Sequence, residues 1–230
     1  MAQRISRAKK TLAGQSFAQP ADVEVILRVL YLIFNEGYAG RVDLAAEAIR
    51  LTRLLALMLL HHARRAARTD DTDAVVPLDR QDRGMWGSTE IAEGVSIIQA
   101  ALAKDRRGEY QIQAAIAALH DDARTAAETD WPQILAWHDE LVALTDNPAA
   151  AMSRAVAVGE VDGPLAGLRA IDGLDRLPGH HRLDAVRAHL HERAGHLDTA
   201  AEHYARAAAS ARSTAERDHL TKQAARLRSC

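Results

Sequence analysis

Residues 147–170 read NPAAAMSRAVAVGEVDGPLAGLRA, and this stretch predicts two short helices joined by a tight turn. We expect the first helix from about Ala149 to Val158, after a proline in a first-turn position that needs no N–H. Asp162-Gly163-Pro164 is the predicted break. We expect the carboxylate of Asp162 to cap the second helix, Gly163 to adopt a positive φ, and Pro164 to open that helix.

Small residues in both helices predict a close helix–helix contact; they are Ala151, Ala155, Ala157, Ala166 and Gly167. One helical pair cannot enclose a core, so it must pack against neighbouring pairs. Hydrophobic residues make up 48% of the chain, much of that Ala and Leu, whereas aromatic residues are only 4%. Ala and Leu are strong helix formers, and we identify no strand. The predicted fold class is therefore all-α.

The overall composition limits the possible environments and partners. The chain of 230 residues can form a substantial core, as one elongated domain or two small ones. Its formal net charge of -2 argues against nucleic-acid binding by the chain as a whole. Cys230 is the single cysteine, which allows no internal disulfide and fits a reducing compartment. We identify no transmembrane helix and no signal peptide, so a cytoplasmic protein is expected.

The first residues of the chain are basic. Arg4, Arg7, Lys9 and Lys10 fall within three turns of a predicted helix, and apolar residues share one of its faces. This pattern fits an exposed helix end. It also fits the tail of a helix that binds nucleic acid.

An unusually long helix is predicted from Asp43 to Arg68, because this stretch contains no Gly or Pro. Either a single long helix is present or a connection is missing. The polar segment from Thr69 to Gly87 is predicted to be a loop that Leu78 and Trp86 pin to the helices. Long loops in compact domains are usually functional or disordered.

Further helices are predicted along the chain, with Asp22, Thr89 and Asp130 as their capping residues. The apolar spacing predicts helices near residues 25–34, 91–103, 110–120, 132–142, 183–193, 198–209 and 214–227.

Residues 195–207, GHLDTAAEHYARA, form the most specific local pattern. A glycine turn is followed by bulky Leu197, small Ala200, aromatic Tyr204 and small Ala207, an order that resembles the second half of a tetratricopeptide repeat. Ala166 lies 34 residues before Ala200, which is the period of such repeats. An unrelated helical hairpin remains the alternative.

No motif predicts catalysis or a cofactor. We identify no GxSxG, P-loop, GxGxxG or HExxH pattern, and the 11 histidines have no recognisable zinc spacing. The pair Asp121-Asp122 is expected to be solvated or to cap a helix. Glu36 is either a polar group at a helix end or the partner of an arginine such as Arg64 or Arg65, and we favour the ion pair. We therefore expect neither an enzyme nor a metal site.

Seven motifs resemble, in order, those of bacterial extracytoplasmic-function (ECF) RNA polymerase sigma factors that carry a long C-terminal tetratricopeptide-like extension. The resemblance covers roughly residues 2–225, and the motifs are QRISRAKK, YLIFNEGY, ALMLLHHARRAAR, LDRQDRGMW, EYQIQAAIAALH, TDWPQI and SRAVAVGEVDGPLAGL. It implies stacked helical hairpins in a right-handed α-solenoid. Residues 3–12 resemble the last helix of sigma region 4, while the rest of that region and region 2 have no match.

The resemblance implies a regulatory, protein-interacting extension. Residues 1–14 would be the remnant of region 4, residues 15–145 the N-terminal helical part, and residues 146–230 the tetratricopeptide-like part. The family has a further turn where Leu55 here runs straight into Ala56, so that connection is either deleted or lost.

The implied partners are sigma regions 2 and 4 and RNA polymerase, with promoter DNA contacted only through the missing N-terminal domains. We predict a partner-binding set and a DNA-facing set of residues. The partner-binding set is Arg154, Asp162, Gly163, Pro164, Tyr110 and Gln113, and the DNA-facing set is Arg4, Arg7, Lys9 and Lys10.

Two other functions remain open from the sequence. One is a free-standing helical-repeat scaffold that binds a peptide in its concave surface. The other is a small-ligand binder whose polar and aromatic residues line a pocket, namely Glu36, Trp86, Tyr110, Gln111 and Gln113.

Overall fold

A computed structural model of the protein describes residues 28–33, 42–103, 107–174 and 181–229. These ranges are helical apart from turns and loops, and they contain no strand beyond an isolated antiparallel bridge between Thr69 and Val75. The all-α prediction is confirmed for this part of the chain. The chain divides into two compact units, Met1–Thr52 and Arg53–Cys230. The predicted boundaries after residues 14 and 145 stay predictions.

In the first unit, residues 28–33 are helical, within the helix predicted after Asp22. Helix α1 then runs from Val42 to Ala63 and crosses the boundary between the units. It is a single long helix, as one of the two predictions had it, but it ends five residues before Arg68. A short 3-10 turn, Arg65–Ala67, follows it.

The loop after α1 contains two further 3-10 turns, Leu78–Arg80 and Arg83–Met85. Trp86 at its end is buried, as predicted for a residue that pins the loop. Helix α2, Ser88–Leu102, has Gly87 as its N-cap residue. The prediction that Thr89 caps this helix is therefore wrong, because Thr89 already lies in the first helical turn.

The next four helices are α3, Glu109–Asp122, α4, Trp131–Thr145, α5, Pro148–Val161, and α6, Pro164–Ile171. Each packs against the next along the chain. The carboxylate of Asp130 accepts a hydrogen bond from the backbone N–H of Gln133 at 3.0 Å, and Pro132 lies in the first turn, so the predicted cap is confirmed.

Three helices complete the described chain: α7, His181–Arg193, α8, Leu197–Ser210, and α9, Thr214–Arg228. Gly195 has a positive φ of 80° in the turn between α7 and α8, which a glycine adopts without strain. Ala200, Tyr204 and Ala207 are buried among α7, α8 and α9, as the pattern predicted, whereas Leu197, its first bulky residue, is 37% exposed at the start of α8.

The core consists of small clusters, each shared by successive helices. Ile112, Leu141 and Ala150 join α3, α4 and α5, while Met152, Ile171 and neighbouring residues join α5, α6 and α7. Because many of these side chains are alanine, the backbones must approach closely to exclude water. None of the described helices is both long enough and apolar enough to cross a membrane.

Helices α5 and α6 approach each other closely at their glycines. A Cβ atom placed on Gly167 would lie 2.8 Å from the carbonyl oxygen of Ala155 and 3.0 Å from the Cα of Gly159. Leu190 of α7 fills the space above both glycines, so a Cβ on Gly159 would also meet its Cδ2 at 2.5 Å. The predicted contact through small residues is confirmed at Ala155 and Gly167, and Gly159 extends it.

Candidate functional site: the turn between α5 and α6 and the adjoining cavities

The turn between α5 and α6 is built from short-range signals. Asn147 caps α5 by accepting a hydrogen bond from the N–H of Ala149 at 2.9 Å, and Pro148 is the first residue of the helix. At the other end Gly163 has φ 91° and ψ 158°, a region that essentially only glycine occupies. Pro164 then opens α6, as predicted.

Asp162 does not cap α6, so that prediction is wrong. Gly163 is the N-cap residue of α6, and no side chain caps this helix. Asp162 instead ends α5, where its N–H bonds to the carbonyl of Val158 at 2.8 Å. Its position one residue before the N-cap, followed by the extended backbone of Gly163, keeps the carboxylate away from the first N–H groups of α6. Within the described ranges, this exposed carboxylate has no hydrogen bond or ion pair.

Two exposed apolar side chains flank that carboxylate. Val161 retains 38% and Leu165 retains 53% of its accessible surface. We call residues 161–165 the turn patch. It combines a free carboxylate, a proline and two hydrophobic side chains on a rigid turn. The sequence pattern pointed to the central three residues but gave no signal that Val161 and Leu165 would be exposed.

The other predicted partner-binding residues lie elsewhere. Arg154 of α5 donates from Nε to the Asp139 carboxylate of α4 at 2.6 Å, in an ion pair whose two side chains are 37% and 52% exposed. Eight residues, or about 12 Å of helix, separate it from Asp162. Tyr110 of α3 packs against the core cluster around Leu60 and Ile98. Gln113 donates to Glu109 at 3.0 Å.

Several predicted residues lie outside the described ranges. They are the DNA-facing residues Arg4, Arg7, Lys9 and Lys10, together with Glu36. Arg64, one expected partner of Glu36, forms an ion pair with Asp121.

The pair Arg64–Asp121 is buried, which corrects the expectation that Asp121 is solvated or caps a helix. Nε of Arg64 donates to Asp121 at 2.6 Å, and the two side chains are 6% and 0% exposed. Nη2 of Arg64 also donates to the carbonyl of Ala117 at 2.7 Å. Burial raises the pKa of Asp121, and the nearby guanidinium of Arg64 opposes that change.

The same region holds the long loop in place. Nη1 of Arg83 donates to the carbonyls of His120 and Ala123, at 2.5 and 2.6 Å. The guanidinium groups of Arg64 and Arg83 lie 5.3 and 4.6 Å from the centre of the Trp86 ring. Such cation–π contacts, together with hydrogen bonds to carbonyls at the end of α3, fix the loop against that helix.

The earlier part of the loop lies close to α9. The pKa of Asp70 is lowered mainly by hydrogen bonds from Thr72 and from a backbone N–H, and also by the charge of Lys222 in α9. The pKa of His219 in α9 is lowered by burial and by the charge of Arg80 in the loop.

A cavity of about 680 Å³, which we call cavity A, lies between this loop and the helices. Its helical lining comes mostly from α5, α7 and α9, and residues 77–80 and 83 of the loop also line it. The charges in its wall are largely paired: Arg193 with Glu160, and Arg226 with Glu192. Tyr204 donates to Glu192 at 3.0 Å, and burial followed by this carboxylate raises the pKa of the phenol.

A second cavity of about 570 Å³, cavity B, adjoins the first. The two share Leu78, His120, Trp131 and Val156, so Leu78 of the loop lies where they meet. Cavity B extends from there between α3, α4 and the first half of α5. Gln113 lines it, together with His138 and Ser153.

The residues proposed for a small-ligand pocket do not come together as predicted. Gln111 is fully buried, and neither its Nε2 nor its Oε1 has a hydrogen-bond partner in the described part of the chain. Trp86 is buried beneath two arginines. Neither residue lines cavity A or cavity B, whereas Gln113 lines cavity B.

Three histidines, His191, His196 and His203, come together where α7 and α8 meet. Nδ1 of His191 lies 3.2 Å from Nδ1 of His196, and the rings of His191 and His203 stack with their centres 5.4 Å apart. Asp184 and Arg206 bond to His203. Among the residues that the structure describes, no three or more His, Cys, Asp or Glu side chains are arranged to hold a metal ion.

Comparison with known proteins gives one family and one relative. Residues 22–102 match a family of unknown function (DUF6596). The chain is 37% identical, over 253 aligned positions, to an uncharacterized protein of Rhizobium meliloti (strain 1021). The alignment includes 97% of this chain but only 60% of the relative, so the chain spans less than two thirds of that protein. No solved structure matches the chain.

Proposed function

We propose that this chain is the regulatory, protein-interacting C-terminal extension of an ECF sigma factor and that it modulates transcription initiation. The ordered motifs between residues 2 and 225 support this proposal. The share of the relative that the chain leaves uncovered is also large enough for sigma regions 2 and 4. In this proposal the chain acts by binding and not by catalysis, and it works in the cytoplasm.

The proposed finer fold is a right-handed, tetratricopeptide-like solenoid. Two features support it. Each helix from α3 to α9 packs against its neighbour in sequence, and the helical part of the wall of cavity A comes mostly from every second helix, α5, α7 and α9. In a stack of helical pairs the first helix of each pair faces the concave side, which gives this alternation.

The turn patch is the observation that carries the proposal. A rigid turn presents a carboxylate that the fold does not use, between two apolar side chains that remain exposed. Exposed hydrophobic residues beside a charged group are typical of protein-interaction sites. The proposed partners of this patch are sigma regions 2 and 4 and RNA polymerase.

Promoter DNA would be contacted through sigma domains outside this chain. The cations at residues 4, 7, 9 and 10 would add only weak, salt-dependent phosphate binding, because base recognition needs the rest of the helix-turn-helix. The alignment with the relative spans 253 positions, more than the 230 residues of this chain, so the relative has residues with no counterpart here. A connection lost near Leu55 and Ala56 would account for some of them.

The first test is transcription in vitro with a reconstituted polymerase. A polypeptide that carries sigma regions 2 and 4 ahead of this chain is compared with one that ends at Gly14. We expect the amount of transcript to differ between the two. Equal transcription, together with no binding of the 230-residue chain to polymerase or to the sigma regions, would overturn the proposal.

The second test maps the surface. Asp162→Arg and Leu165→Ser should each weaken binding to the sigma regions or polymerase about tenfold or more, because a partner would contact both side chains. Leu144→Ser is the matched control, since Leu144 is 52% exposed, much like Leu165, but lies on α4. An equal loss with the control variant would show that the turn patch has no special role.

Cavity A favours a second candidate function, a scaffold that binds an extended peptide. Its wall offers paired charges and a buried tyrosine along several helices. In this case Glu192→Gln would reduce peptide affinity without affecting transcription. A peptide-array screen against the wild-type chain and this variant would distinguish the two functions.

A further inference from the structure

The loop before α2 contains a segment that is hydrogen-bonded almost only to itself. This segment is residues 69–82, which we call the strap. It includes the bridge between Thr69 and Val75 and a turn in which the carboxylate of Asp70 accepts a hydrogen bond from the N–H of Thr72 at 2.8 Å. Among the described residues, no hydrogen bond or ion pair joins the strap to a helix. Lifting the strap away from the helices would therefore leave its backbone hydrogen bonds intact.

The strap is fixed at its two ends and weakly held between them. None of its residues is buried, whereas Ala67 before it and Trp86 after it are. At the first end Arg68 donates to the carbonyl of His61 at 2.6 Å, and beyond the second end Arg83 donates to two carbonyls at the end of α3. Segments with few buried contacts open locally at a small cost in free energy.

One half-buried side chain holds the middle of the strap. Leu78 lines both cavities, and His120, Trp131 and Val156 are the other residues that line both. The 3-10 turn that begins at Leu78 also packs against the turn Ala126–Glu128. Since Leu78 lies where the cavities meet, moving it away would join cavity A and cavity B into one groove.

Two other strap residues lie near α9. Burial lowers the pKa of His219 in α9, and the charge of Arg80 lowers it further. Hydrogen bonds lower the pKa of Asp70, and the charge of Lys222 in α9 adds to this effect. Because Leu78 lies beside Val156 of α5, the strap runs over cavity A from α5 towards α9.

We propose that the strap is a tethered ligand of the groove formed by the two cavities, and that a partner peptide must displace it. The groove then selects an extended segment with a leucine after a proline, because Pro77-Leu78 is the segment that lies in it. A tethered competitor acts at an effective concentration of about millimolar order. The inference rests on the second candidate function, the peptide-binding scaffold, and not on the role in transcription.

The test supplies the strap sequence as a separate peptide. Residues 74–83, AVVPLDRQDR, are synthesised with a fluorescein label and titrated into the 230-residue chain, and binding is followed by fluorescence anisotropy. The wild type is compared with Leu78→Ser, whose own strap has lost its apolar contact. We expect at least about tenfold tighter binding to Leu78→Ser, because a closed strap reduces the fraction of chains that can bind.

Three controls place the peptide in the groove. Met85→Ser should bind the peptide as the wild type does, because Met85 lies in the same loop, is 51% exposed and lines neither cavity. A peptide that itself carries Leu78→Ser should bind the opened chain about tenfold more weakly, since it lacks the apolar contact. Val156→Phe, added to Leu78→Ser in the chain, should abolish the gain by filling the position of the leucine.

Three results would overturn the proposal. They are equal affinity of the wild type and Leu78→Ser for the peptide, an equal gain in Met85→Ser, and undiminished binding of the peptide that carries Leu78→Ser. Thermal unfolding checks that each variant is folded. If Leu78→Ser does not fold, Arg83→Gln replaces it, because this change releases the second end of the strap and leaves Leu78 in place.

The peptide array separates this inference from the scaffold function. Array peptides that bind the wild type and Leu78→Ser equally well would leave the scaffold function standing and show that the strap does not compete with them. No array peptide bound by either chain would contradict the scaffold function itself.

Discussion

At the scale of single residues, two aspartates beside helix starts have different roles. Asp130 caps α4, whereas Asp162 lies one residue too early to cap α6. We expect Asp130→Ala to cost about 1 kcal/mol and to lower Tm by roughly 2–4 °C in a chain of this size. Asp162→Ala should lower Tm by less than about 1 °C, as measured by circular dichroism. A larger loss with Asp162→Ala than with Asp130→Ala would mean that the turn carboxylate is structural.

A second prediction at this scale concerns pH. Burial lowers the pKa of His138 from 6.5 to about 4. Below pH 6.5 His138 is protonated in the unfolded chain but stays neutral in the native protein. The free energy of unfolding therefore decreases as the pH falls towards 4. The decrease amounts to about 3 kcal/mol once the pH has fallen below both the unfolded and the native pKa of His138.

Urea unfolding at pH 7, 5.5 and 4.5 measures this decrease, and His138→Gln is the control because it cannot titrate. The variant should lose less stability than the wild type over the same interval. His120 acts in the same direction, since its pKa is also lowered to about 4 by burial and by Arg64 and Arg83. Wild-type stability that does not change between pH 7 and 4.5 would contradict the prediction.

At the scale of elements, the contact between α5 and α6 leaves no room for a Cβ on Gly167, although alanine there would favour the helix. Gly167→Ala should gain up to about 1 kcal/mol of helix propensity. Its Cβ would lie 2.8 Å from the backbone oxygen of Ala155, which cannot move aside as a flexible side chain can. We expect a net loss of about 1–3 kcal/mol, as measured by urea unfolding.

Leu165→Ala on the same helix is the matched comparison. Leu165 is 53% exposed, so its replacement should change the free energy of unfolding by no more than about 0.5 kcal/mol. If Gly167→Ala proves more stable than the wild type, helix propensity outweighs the close approach and the helices can separate at little cost.

At the scale of the whole molecule, one buried ion pair joins segments that are far apart in sequence. Arg64 follows α1 and Asp121 lies near the end of α3, 57 residues later. Arg64→Met should destabilise the chain by about 3–5 kcal/mol, because it leaves a buried carboxylate without a counterion. The double variant Arg64→Met/Asp121→Leu should regain most of that loss, since it removes both charges.

Denaturant unfolding of the two single variants and the double variant forms a double-mutant cycle that measures this coupling. The pair also supports the Trp86 end of the loop, so Arg64→Met should increase proteolytic cleavage between residues 69 and 86. Additive losses in the cycle would show that Arg64 and Asp121 are not coupled. Unchanged cleavage would show that Arg64 does not help to hold the loop.

The sequence by itself determined the helices. Apolar spacing, proline at first turns and glycine at positive φ act over a few residues, so α5, α6, the Gly195 turn and the Asp130 cap were predicted correctly. The glycine and proline of the turn patch were predicted for the same reason. Two predicted N-cap residues were wrong by one or two positions. The N-cap is Gly87 and not Thr89 in α2, and Gly163 and not Asp162 in α6.

Only the tertiary structure decided which side chains meet. The ion pair of Arg64 with Asp121 joins segments that are 57 residues apart in sequence. The stacking of His191 on His203 depends on how α7 packs against α8. The burial of His138 Nδ1 without a hydrogen bond in the described chain depends on the residues packed around α4. Whether a polar group is buried, paired or exposed depends on every segment that packs around it. Local periodicity holds no information on those segments, so the cavities and the exposed flanks of the turn patch appear only when the helices are packed together.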